Sequence, residues 1–152
     1  MLEPVATELT RVVDRAALEL RLIDEVTAGT KPKRDVWSVK EILGHLIDSA
    51  ANNHQRFVRA QLSPELSFPG YEQDGWVRAQ DYQARPWPQL IDLWLLYNHH
   101  LAHVIARIPE TAADVSCRVG SDEAIPLRGL VDDYVAHLRH HLEQIQQRQV
   151  AR

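Results

Sequence analysis

The chain has 152 residues, 45% apolar and 25% charged, a balance that fits one domain able to bury its own core. Its formal charge of −4 and pI near 6.0 argue against a nucleic-acid partner, because neutralising phosphate needs a Lys/Arg excess. No apolar run reaches membrane-spanning length, no basic segment leads into an apolar one at the N-terminus, and the lone Cys117 excludes an intramolecular disulfide, so a cytoplasmic protein without membrane contact is expected.

From about Glu3 to Thr27, the residues Val5, Leu9, Val12, Val13, Ala16, Leu20, Ile23 and Val26 recur at helical spacing, ended by Gly29 and Pro32. A second helix is predicted to start at Ser38, where Ser38 and Glu41 make a capping box. Its apolar arc is Ile42, Leu43, Leu46, Ile47, Ala50, Phe57 and Val58. His45 sits at the edge of that arc beside Ser49 and Asn52, and His54 lies near the opposite, more polar boundary. Gly44 costs such a helix about 1 kcal/mol relative to Ala, which a close helix or ligand approach explains as well as a tolerated surface position does.

Periodicity fails from Ser63 to Trp87, where Pro and Gly alternate with Phe68, Tyr71, Trp76, Tyr82 and Trp87. The stretch is too aromatic for a disordered linker. It is expected to pack as a crossover with a short helix from Asp74 to Gln83, and Tyr71 and Trp76 are roof candidates by position.

Pro86 and Pro88 open a third long helix that ends before Pro109. Trp87, Leu90, Ile91, Trp94, Leu101, Ile105 and Ile108 form its core face, with His99, His100 and His103 projecting away. Asn98 points into the core, so it must brace the backbone or touch something bound between helices. The polar connection that follows offers a small hairpin, Val115 to Val119 against Glu123 to Ile125, and a Cys117 thiol read as inert rather than nucleophilic.

The last helix runs from about Pro126 to Arg148 on a stripe of Leu127, Leu130, Val131, Tyr134, Val135, Leu138, Leu142 and Ile145. At roughly 100° per residue, His137 and His141 line one edge of the stripe while His140 faces solvent. Two imidazoles at i and i+4 can share a metal ion. Four helices with one long crossover between the second and third give an all-α four-helix bundle, one domain over residues 1–152. If the second and fourth helices are antiparallel, His45, roughly 10 Å from the start of its helix, meets His137 and His141, roughly 10 to 16 Å from the end of theirs. Three histidines at one level make a metal site with an open position. Asp48 and Asp133 are candidates to orient those imidazoles, and Tyr134 and Asn98 are candidates to reach the site from the core, with solvent-exposed carboxylates and a plain core tyrosine as the alternatives.

The motifs Trp37-Ser38, Glu41-Ile42-Leu43, His45-Leu46 and Asp48, then Asp133-Tyr134, His137-Leu138-Arg139-His140-His141 and Gln144-Ile145, resemble the DinB/YfiT-like superfamily. So do Asp74 to Gln80, the Trp94 region and Asn98-His99-His100-Leu101, and the likeness spans nearly the whole chain. Pro126 departs from it, standing where a Thr or Ser cap is expected. The resemblance implies an up-down-down-up bundle, often a homodimer, with Zn or Ni on the His45, His137, His141 triad. Relatives of this kind include thiol S-transferases and an isomerase using low-molecular-weight thiols. The expected function is therefore thiol S-transfer, in which a metal-held thiolate attacks an electrophilic small-molecule substrate. Hydrolysis by a metal-activated water, or a non-catalytic dimeric metal-binding bundle, is the alternative.

Overall fold

The capping box at Ser38 forms, with the Glu41 amide donating to Ser38 Oγ at 3.1 Å and the Ser38 amide donating to Glu41 Oε1 at 3.1 Å. It starts α3 (Val39–Ala60), one of four long helices in the computed structural model, which describes residues 2–151. The others are α1 (Glu3–Leu20), α5 (Trp87–Ala106) and α7 (Leu127–Val150). Cross-bundle contacts fix their relative directions. Arg148 donates to the Trp37 carbonyl while His137 lies beside His45, so α3 and α7 run in opposite directions. Trp87 Nε1 donates to the Leu20 carbonyl at 3.1 Å and His99 meets Asp14 at 2.6 Å, which opposes α1 and α5. Lys40 Nζ donates to the Arg85 carbonyl at 2.8 Å and His54 meets Tyr97 at 2.8 Å, which aligns α3 with α5. Leu9, Val13, Ile42, Leu46, Phe57, Trp94, Leu101, Val131 and Leu138 fill the space between them.

The first helix is shorter than its periodicity predicts. α1 stops at Leu20, and a separate turn α2 (Glu25–Gly29) begins where Asp24 caps it, its side chain accepting from the Thr27 amide at 2.7 Å. A competent N-cap inside an apolar repeat ends one helix and starts another. At the far end α7 starts at Leu127 without a side-chain cap, Pro126 taking extended backbone geometry before it. The missing Thr or Ser does not displace the helix start.

A small sheet qualifies the all-α expectation. β1 (Glu65–Phe68) pairs in parallel with β2 (Ser116–Val119), which pairs antiparallel with β3 (Ile125–Pro126). The hairpin expected near Gly120 is the β2–β3 half of it, and Gly120 takes the positive φ of 58° that its turn requires. Its amide donates to the Phe68 carbonyl at 2.8 Å, so the sheet clamps the crossover to the connection before α7. The crossover itself is ordered. Its helix, α4, spans Gln73–Gln80 rather than reaching Gln83, because Asp81 turns left-handed at φ 45° and a 3₁₀ turn (Tyr82–Ala84) follows.

Candidate metal centre

The fold brings His45 from α3 against His137 and His141 from α7. One ligand atom from each of the three residues lies within 4.8 Å of the others. His45 Nε2 and His137 Nε2 are 3.0 Å apart. Two nitrogens on one tetrahedral zinc, each about 2.0–2.1 Å from it, lie roughly 3.3 Å apart, so the spacing fits a shared ion. The imidazoles meet edge to face, with centroids 4.6 to 4.9 Å apart, as rings aimed at one point must.

Neighbouring groups set which nitrogen two of the rings present. Gln144 Oε1 lies 2.9 Å from His141 Nδ1, so that nitrogen carries the proton and Nε2 keeps its lone pair. Ser49 Oγ lies 3.5 Å from His137 Nδ1, a longer contact that serves the same orientation. Trp37 packs on the His45 ring at 5.0 Å, and His45 Nδ1 is buried without a hydrogen-bond partner.

Burial, then the charge of neighbouring imidazoles, holds His45 down at a pKa of about 3 and His137 at about 4. Burial lowers His141 as well. At neutral pH all three rings are therefore uncharged, which is the form that binds metal.

The other candidates divide. Asp48 is buried beside the triad, but its carboxylate does not hold an imidazole. Oδ1 accepts from the Tyr82 hydroxyl at 2.6 Å and from Gln80 Nε2 at 2.7 Å, so it ties the crossover to α3. Asp133 is exposed on α7, and its side chain makes no hydrogen bond among the described residues, since its position turns it off the histidine edge. Asn98 and Tyr134 satisfy each other in the core, the tyrosine hydroxyl donating to Asn98 Oδ1 at 2.6 Å and Asn98 Nδ2 to the Trp94 carbonyl at 2.9 Å. Tyr71 lies half-buried near Ser49, Asp48 and Arg56, burial raises the pKa of its phenol, and its ring meets Trp76 at 5.1 Å. Cys117 is buried and bonded to the Val115 carbonyl, and burial raises its pKa, so it is no nucleophile.

The remaining histidines lie outside the cluster. His99 pairs with Asp14, His54 with Tyr97 and, ring to ring at 5.2 Å, with His100, while His103 and His140 are exposed. Gln144 was available to sequence reasoning through its i+3 spacing from His141. Tyr82 and Gln80 carry no such local signal. A groove of about 890 Å3 between α1 and the end of α7 is separate, since none of the three imidazoles lines it.

The class is a helical bundle that converges three neutral imidazoles from two facing helices, a donor set that could hold a metal ion. Residues 5–145 match the DinB superfamily, and the chain belongs to it. A relative named "Putative metal-dependent hydrolase", from Halalkalibacterium halodurans, is 22% identical over 142 residues, 92% of this chain and 81% of the relative. A second of the same description, from Geobacillus thermodenitrificans, is 30% identical over 118 residues, 75% of this chain and 65% of the relative. Among solved structures, YfiT from Bacillus subtilis matches 96% of this chain and 87% of its own with a TM-score of 0.81 at 17% identity. It is described as "a probable metal-dependent hydrolase with an unusual four-helix bundle topology".

Proposed function

We propose that the chain is a divalent-metal-dependent hydrolase of a small organic substrate, with Zn or Ni held by His45, His137 and His141. The carrying observation is the convergence of three uncharged imidazoles within 4.8 Å, to which the names of the relatives add support. When bound, such an ion supplies Lewis-acid activation of a water or a thiol. The chain's own groups do the rest. Gln144 and Ser49 hold two imidazoles in the liganding orientation. The Asp48–Tyr82–Gln80 cluster pins the crossover, which carries Tyr71 to the neighbourhood of Ser49. The up-down-down-up course and a homodimer belong to the same reading. The first draws on the helix-end contacts described above, and sedimentation of the purified chain reads the second.

Thiol S-transfer is the second reading. Its support is the uncharged ligand set, which leaves the ion's full charge to keep a low-molecular-weight thiol as thiolate. One experiment separates the readings. Zinc- and nickel-loaded protein is given an activated ester alone, and separately an electrophilic aryl chloride with cysteine or glutathione as the thiol. Metal-dependent ester turnover that His137→Ala abolishes supports hydrolysis. Turnover only in the thiol reaction replaces it with transfer, and stoichiometric metal without either activity leaves a non-catalytic metal-binding bundle.

A further inference from the structure

We propose that Arg56 anchors a carboxylate of the substrate, within the same covered face of α3 that carries His45. Arg56 is 8% exposed and its Nε has no hydrogen-bond partner. Its one side-chain hydrogen bond among the described residues is weak and neutral, from Nη1 to Asn53 Oδ1 at 3.4 Å. No carboxylate of the described residues pairs with it, and the Phe68 ring, 5.5 Å from the guanidinium carbon, offers only a cation–π contact. A guanidinium stays charged, and a buried charge is normally paired. An anion is the missing partner.

Position supplies the link to the triad. His45, Ser49, Asn53 and Arg56 follow one face of α3, and Asn53 Nδ2 donates to the Ser49 carbonyl at 2.8 Å. Ser49 in turn lies 3.5 Å from His137 Nδ1, and Tyr71 of the crossover stands close enough to Ser49, Arg56 and Asp48 for their electrostatics to act on its phenol. The rise from residue 45 to 56 is roughly 16 Å along the helix axis, shortened as Arg56 folds back toward Asn53. That span suits a small molecule with its reacting group at one end and its anion at the other. Asp48 makes no ion pair with Arg56: its Oδ1 accepts from Tyr82 and Gln80, and its buried Oδ2 has no hydrogen-bond partner among the described residues. A single guanidinium edge takes a planar monoanion in bidentate fashion and matches its one charge better than it matches a phosphate dianion. Only the word "substrate" rests on the triad's proposed function. The anion site stands without the ion.

The test therefore uses metal-free protein first. Binding of 3-phenylpropionate, of 3-phenylpropanamide and of inorganic phosphate is followed by NMR titration of the 15N-labelled chain. The carboxylate should bind at least fivefold more tightly than its isosteric amide and more tightly than phosphate. Arg56→Gln should abolish that preference, Arg56→Lys should retain part of it, and His137→Ala should leave it intact. A preference below fivefold, tighter phosphate binding, or a preference that survives Arg56→Gln overturns the proposal, as does one that depends on His137. Should Arg56→Gln fail to fold, the Arg56 Nε–H resonance of the wild type decides. It must shift on saturation with the carboxylate and not with the amide. Elemental analysis of metal content fails or succeeds separately, so loss of the metal reading leaves this result readable.

Discussion

His45, His137 and His141 contribute one nitrogen each, and losing one leaves only two donors. His45→Ala or His137→Ala should therefore weaken metal binding by more than about 100-fold, beyond what loss of an orienting partner costs. The same elemental analysis should find full metal in His54→Gln, His99→Gln and His103→Gln, whose rings are engaged elsewhere or exposed. Gln144→Ala keeps all three donors but frees the His141 ring, and should cost roughly 10- to 100-fold in affinity by chelator competition. Proton linkage gives a separate expectation for the metal-free protein. The folded pKa values of about 3 for His45 and about 4 for His137 lie below the unfolded value near 6.5. Between those limits the unfolded chain binds more protons than the folded one. Stability contributed by these groups is thus intact above about pH 6.5 and declines as pH falls toward 4. Melting temperature against pH should show that decline in wild type and a shallower one in His45→Gln. Equal slopes would contradict the burial argument.

At the scale of elements, Gly44 and the crossover explain each other. A Cβ at Gly44 would fall inside the Tyr82 ring, so the glycine is the seat on which the crossover rests. Gly44→Ala gains about 1 kcal/mol of helix propensity but overpacks a buried contact at a typical 1–3 kcal/mol. It should lower the melting temperature and loosen Asp48–Tyr82, read as faster amide exchange between residues 71 and 84. Sequence patterning located that glycine without naming what it meets, because Tyr82 approaches from 38 positions away. The elements set by local chemistry were legible: the Ser38–Glu41 box, the proline start of α5 and the stripe of α7. So was the meeting of His45, His137 and His141, which needs only helical spacing and antiparallel helices. The β1 strand was not, since four residues with little alternation gain their pairing from a partner far along the chain. The break at Asp24 was missed because an apolar repeat continues across it, and only the capping geometry shows that a helix ends there. Asp48 was found for its nearness to His45, yet its bonds serve the crossover.

For the molecule as a whole, a core drawn from all four long helices makes the ion an addition to stability rather than its source. At about 100 times the dissociation constant a bound ion adds about 2.7 kcal/mol, so chelation should lower the melting temperature by roughly 5–10 °C. Far-UV circular dichroism at 25 °C should stay helical; unfolding on chelation would overturn this account. The parallel β1–β2 pair carries a kinetic consequence. Glu65 pairs with Ser116 and Phe68 with Val119, so the strand forms only after α5 and the segment before it have been laid down. Such a closure is slow compared with helix formation. His45 and His137 lie 92 positions apart, more distant still in the chain than the paired strands, so the histidine cluster and the clamp on the crossover both wait for the C-terminal third of the protein.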